Sequence, residues 1–82
     1  MFSIKIKYFA IYEELKNKNE EEVTLSKPID IKELFFKLMD EVPLKEQYFK
    51  ATLFARNRHY VSADAIVKSG DEIAFIPPVS GG

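Results

Sequence analysis

The sequence predicts an α+β domain in which a mixed β-sheet packs on one main helix. Three patterns carry this reading: alternating residues from Phe2 to Phe9, one strongly amphipathic stretch opening at Asp30, and a series of strand and turn signals from Ala51 to Ile76. A helix set between two strand pairs is expected to cover one face of the sheet they form, because neither element can bury its apolar side alone.

In the first strand Phe2, Ile4, Ile6 and Tyr8 share one face, and Ser3, Lys5, Lys7 and Phe9 the other. Phe9 is thus an apolar residue at the far end of a polar face. Ala10 to Lys16 holds helix formers, with Ile11 and Leu15 four apart, and Asn17-Lys18-Asn19 ends this short helix. The run Glu20-Glu21-Glu22 reads as the solvated entry to a second strand, Glu22 to Ser26, built on Val23 and Leu25 and paired antiparallel with the first. Asp30 followed three residues later by Glu33 has the spacing of a capping box. Ile31, Leu34, Phe35, Leu38 and Met39 then form the stripe of the main helix, with Phe36 off the stripe and partly exposed. Pro43 is expected to end that helix, since a proline pushes the residue before it out of helical geometry. Two short strands, Ala51 to Arg56 and His59 to Val61, flank the tight turn Asn57-Arg58. Lys68-Ser69-Gly70-Asp71 makes a second turn, and Glu72 to Ile76 is the last strand, stopped by Pro77 and Pro78.

Composition narrows the function. The 82 residues are expected to form one domain over residues 1–76 with an extended tail over residues 77–82, too small for a deep catalytic cleft. Twelve basic against thirteen acidic residues give no support for a nucleic-acid partner or an anionic membrane. No apolar run approaches the ~20 residues of a membrane span, and Met1-Phe2-Ser3-Ile4-Lys5 lacks the order of a secretory signal, so a cytoplasmic location is expected. Without cysteine, and with one histidine, the chain offers no thiolate nucleophile and no zinc site, and no bound metal or cofactor is expected. His59 reads as a surface histidine, and Ser80 has no base near it in sequence.

The end of the chain is the unusual part. Gly70 has a turn to explain it, whereas Gly81 and Gly82 have no evident folding role. A terminal carboxyl, with a pKa of roughly 3.3–3.7, is an anion and a poor electrophile at neutral pH, so another enzyme would have to activate it. Conversion to an acyl-adenylate installs a leaving group that a sulfur donor, an amine or a thiol can displace. Pro77 and Pro78 stiffen the base of the tail, and with Val79, Ser80, Gly81 and Gly82 extended it reaches roughly 20 Å, enough to enter another protein's pocket. The glycines leave no side chain to clash there. These residues alone leave three readings open: a sulfur carrier, a modifier joined to lysine amines, and an interaction module with an inert tail.

The unbroken stretch Ser69-Gly70-Asp71-Glu72-Ile73-Ala74-Phe75-Ile76-Pro77-Pro78-Val79-Ser80-Gly81-Gly82 resembles the small subunits of molybdopterin synthase, ubiquitin-like sulfur carriers with a β-grasp fold. Tyr8-Phe9-Ala10, Asn57, Tyr60-Val61 and Asp64 add to the resemblance, which runs over essentially the whole chain. It departs at Ile11-Tyr12-Glu13, where members often carry an arginine-containing segment. The resemblance implies that Gly82 is adenylated by a ubiquitin-activating-type adenylyltransferase using ATP, and that it is then converted to a thiocarboxylate. It further implies sulfur donation to cyclic pyranopterin monophosphate inside the large catalytic subunit, in a heterotetramer. A carrier for thiazole synthesis would share the Gly-Gly chemistry, with Pro77-Pro78-Val79 arguing against it, and a protein modifier would share the activation.

The strand pattern adds an expectation of its own. Ile76 shares a face with Glu72 and Ala74, so if the first and last strands are neighbours, Phe9 and Ile76 meet on the outer face at the base of the tail. Tyr60 is the third member, and the expected partner surface comprises Phe9, Tyr60, Phe75 and Ile76.

Overall fold

One mixed sheet organises the computed structural model, which describes residues 1–78. Among these residues the elements run β1 (Phe2–Tyr8), α1 (Ile11–Lys16), β2 (Glu20–Leu25), α2 (Ile31–Leu38), α3 (Lys45–Ala51), β3 (Leu53–Arg56), β4 (His59–Val61) and β5 (Glu72–Ile76). The strands lie in the order β2-β1-β5-β3-β4. The first and last strands are parallel neighbours at the centre, and the other three pairings are antiparallel. This is the mixed sheet on a main helix that the sequence predicts.

Alternation along each strand decides what is buried. Opposite pairs Ile6–Ile73 and Tyr8–Phe75 point inward from β1 and β5, and all four side chains are fully buried. The capping residue Asp30 accepts a hydrogen bond from the Glu33 amide at 2.8 Å, and α2 lays Ile31, Leu34 and Phe35 on this inner face. Phe35 is the hub, with ring centroids 5.3 Å from Phe75, 5.8 Å from Phe54 and 5.8 Å from Tyr12. Such edge-to-face pairs each add about 0.5–1.5 kcal/mol beyond the area they bury. The loop after β4 completes the helix start, since the Ala65 and Ala63 carbonyls accept from the Ile31 and Lys32 amides at 3.1 and 2.9 Å.

Several expectations are corrected here. Helix α1 is the short helix expected, whereas α3 has no counterpart in the sequence reading. Its apolar residues Tyr48 and Phe49 are adjacent and make no helical stripe, and its N-cap Leu44 supplies no side-chain bond. Aromatic contact holds it instead, with Phe49 5.5 Å from Phe35 and Tyr48 6.1 Å from Tyr12. Pro43 does not end the main helix. That helix stops at Leu38, where the Lys16 ammonium donates to the Leu38 carbonyl at 2.7 Å, a cation placed at a helix C-terminus. In α1 the buried residue is Tyr12, between the expected Ile11 and Leu15; its hydroxyl bonds to that of Thr52, which donates on to the Tyr48 carbonyl. Strand β3 begins at Leu53, two residues later than expected, because Ala51 still belongs to α3.

The glutamate run is also more than a strand entry. Pairing of Glu20 with Lys7 and Glu21 with Ile6 starts β2 two residues earlier than expected. Glu21 faces inward and accepts a hydrogen bond from the Tyr8 hydroxyl. Partial burial raises the Glu21 pKa, but this is outweighed by the Tyr8 bond and the Lys18 and Lys16 charges, so the net shift is downward. Burial first, and then the same carboxylate, push the Tyr8 phenol well up.

Phe75, expected on the partner surface, is fully buried and belongs to the core. Strand alternation is the reason: placing Ala74 and Ile76 outward turns Phe75 inward onto Phe35. Phe75→Ala should therefore cost about 3–5 kcal/mol, whereas Phe9→Ala, at a residue 45% exposed, should cost less than about 1 kcal/mol; urea titration measures both. Tyr8→Phe should cost about 1–2 kcal/mol at pH 7 through the lost bond to Glu21. Because the folded Glu21 pKa lies below its ordinary value of 4.5, this contribution is present above that pH and is lost as the pH falls through the lowered value. Unfolding measured at pH 7 and at successively lower pH checks that the gap between the two chains narrows as the pH falls through the lowered value.

Candidate functional site, an uncovered sheet face at the base of the C-terminal segment

The helices cover only the inner face of the sheet, so every second residue of its strands is left on an open outer face. On the β2–β1 side this face is charged, with Lys5 opposite both Glu22 and Glu72 and its ammonium 3.8 Å from Glu20. Towards β3 and β4 it is apolar. Ala74 pairs with Ala55, which pairs with Tyr60, and Ile76 pairs with Leu53. Tyr60 is 72% exposed and Leu53 52%, large values for residues of this size.

A groove of about 280 Å³ crosses this region. The small residues Ala55 and Ala74 line it together with Phe9, Tyr60 and Ile76. Three of the four residues expected on the partner surface thus meet at one groove, and Phe75 lies beneath it. Sequence reasoning places Ala74 on this face without assigning it to the partner surface, and misses Leu53 and Ala55. The signal for the alanines was present, since small residues at alternate positions of facing strands leave room between larger ones.

The groove has a charged end. Glu72 lies 3.9 Å from the Lys7 ammonium and 3.9 Å from the Arg58 guanidinium. Exposed pairs of this kind contribute little to stability. They do set a polar rim beside an apolar centre, the usual anatomy of a protein-binding surface. Arg58 is held there by its turn: Asn57 and Arg58 have φ of 52° and 71°, the two positive values of the hairpin turn that the sequence predicts. Asn57 ties this turn to β5, donating to Asp71 at 3.0 Å and accepting from the Glu72 amide at 2.9 Å. Asp71 in turn accepts from the Lys68 amide at 2.7 Å and closes the turn around Gly70, whose φ is 81°.

The groove offers an apolar contact surface with a charged end formed by Lys7, Arg58 and Glu72. His59 is exposed, and its ring is within 3.0 Å of the Asn57 carbonyl and not beside a nucleophile. Among the described residues no three of His, Cys, Asp and Glu are grouped to hold a metal ion, and no helix is long and apolar enough to cross a membrane. The strand that forms one wall, β5, leads directly into Pro77 and Pro78, half-buried and exposed. Val79, Ser80, Gly81 and Gly82, on which the expected chemistry falls, lie outside the described residues.

The chain is similar to molybdopterin synthase sulfur carrier subunits and, in fold, to small archaeal modifier proteins. The molybdopterin synthase sulfur carrier subunit of Chlamydomonas reinhardtii is 35% identical over 81 residues, covering 96% of this chain and 98% of that protein. A chain in the protein–protein complex of subunits 1 and 2 of molybdopterin-converting factor from Helicobacter pylori superposes with a TM-score of 0.67 at 26% identity, covering 99% of this chain and 100% of that one. The small archaeal modifier protein 1 of Haloferax volcanii shares the fold, with a TM-score of 0.80 at 20% identity over 96% of this chain and 100% of its own. These neighbours carry the ubiquitin-like β-grasp fold that the sequence resemblance implies. Residues 6–82 match the model of the ThiS family, and the chain belongs to that family.

Proposed function

We propose that the chain is the sulfur-carrying small subunit of a molybdopterin synthase, with Gly82 as the carrier residue. The observation that supports this most is the meeting of two features on one strand: β5 forms a wall of the apolar groove and runs straight into the Pro77-Pro78 segment before Gly81-Gly82. A partner seated on the groove would receive the C-terminal segment at a fixed entry point. The relative of known role at 35% identity supports the same reading.

The chemistry would proceed in balanced steps. A ubiquitin-activating-type adenylyltransferase joins the Gly82 carboxylate to the AMP part of ATP and releases pyrophosphate. Hydrosulfide from a sulfur donor then displaces AMP at the acyl carbon, and loss of its proton leaves a thiocarboxylate. Inside the large catalytic subunit that sulfur passes to cyclic pyranopterin monophosphate, and water restores the carboxylate. Two rounds supply the two sulfurs of a dithiolene. On this reading the chain provides no acid or base of its own and holds no metal or cofactor; it works in the cytoplasm, and its part is to dock, first on the activating enzyme and then on the synthase subunit in a heterotetramer.

Incubation with ATP, the activating enzyme and a sulfur donor should raise the mass of the chain by the exchange of one oxygen for sulfur at Gly82, and deletion of Gly82 should abolish the gain. The loaded chain should copurify with the large synthase subunit and convert the pterin precursor. An isopeptide adduct to lysine in place of the mass gain would make the chain a modifier, and an unchanged mass would make the tail inert.

A further inference from the structure

Phe9 reaches the groove from a backbone turn that no residue with a side chain adopts easily. Ala10, directly after it, has φ 51° and ψ −122°. Asn17 and Leu44 also have positive φ, but their ψ values of 37° and 28° place them in the ordinary left-handed basin, where Ala10 does not lie. The Tyr12 amide donates to the Phe9 carbonyl at 3.0 Å, so Phe9 to Tyr12 is a closed four-residue turn with Ala10 in its second place. Glycine dominates that place when φ is positive, because a Cβ there meets the backbone. Both ends of the turn are fixed by the core. Tyr8 is buried against Phe75, and Tyr12 is buried between Phe35 and Phe75 with its hydroxyl on Thr52.

We propose that Ala10 is a positioning residue whose strained turn holds Phe9 out over the groove in the arrangement that the partner takes up. This rests on the reading of the groove as the docking surface for the large synthase subunit. Glycine would satisfy the same turn without strain, but would also open neighbouring backbone conformations to Phe9. The alanine Cβ removes those conformations, so that the exposed ring is ordered before the partner arrives and less freedom is lost on binding.

Ala10→Gly, Phe9→Ala and the double variant test this in the full-length chain. Relief of strain should raise the melting temperature of Ala10→Gly by roughly 4 °C. Its affinity for the large subunit should nevertheless fall roughly three- to tenfold, and the backbone order parameter at Phe9 in the free chain should drop. On the Phe9→Ala background the glycine should cost no further affinity. An unchanged affinity, an equal loss on the Phe9→Ala background, or a lowered melting temperature for Ala10→Gly would each overturn the assignment. Wild-type affinity in Phe9→Ala would overturn the docking reading itself, and the inference with it, whereas a large loss in Phe9→Ala beside none in Ala10→Gly would overturn the inference alone.

Discussion

The parallel pairing of β1 with β5 at the centre of the sheet governs the rest of the molecule. Tyr8 opposite Phe75 and Ile6 opposite Ile73 supply the inward residues on which the helices pack. The same register places Lys7 opposite Ala74 on the outer face. Two residues further along, Phe9 and Ile76 both line the groove, at the point where the chain continues into Pro77. Core and candidate docking surface are therefore two sides of one constraint. A shift of one residue in this register would bury the groove residues and expose the core.

Stability and binding are assigned to different faces as a result. The inner face holds a cluster of aromatic rings around Phe35, and its two core hydroxyls are satisfied, Tyr12 by Thr52 and Tyr8 by Glu21. Among the described residues the outer face carries surface ion pairs and a few large exposed apolar groups.

Much of the fold could be read from the sequence because the decisive signals are local. Alternation in Phe2–Tyr8 and Glu72–Ile76, the Asp30 cap and the Asn57-Arg58 turn each have a mechanism that acts within a few residues. What was not legible depends on distant partners. Helix α3 exists because Tyr48 and Phe49 find aromatic rings supplied by α1, α2 and β3, and the main helix stops where Lys16 of α1 caps it. At the candidate site, Phe9 and Ile76 follow from alternation with β1 and β5 as neighbours, and Tyr60 from its place in the hairpin. Phe75, expected on that surface, is turned inward by the same alternation that brings Ile76 outward. Leu53 and Ala55 needed the β3–β5 register, which no turn in the sequence specifies.

Isotopic labelling of the chain and titration with the large synthase subunit, followed by amide and methyl chemical shifts, tests the central claim most directly. The account predicts that the largest changes fall on Phe9, Leu53, Ala55, Tyr60, Ala74 and Ile76, with the β2 edge from Glu20 to Leu25 little affected. Changes centred on the exposed sides of the helices, with the outer sheet face silent, would contradict it.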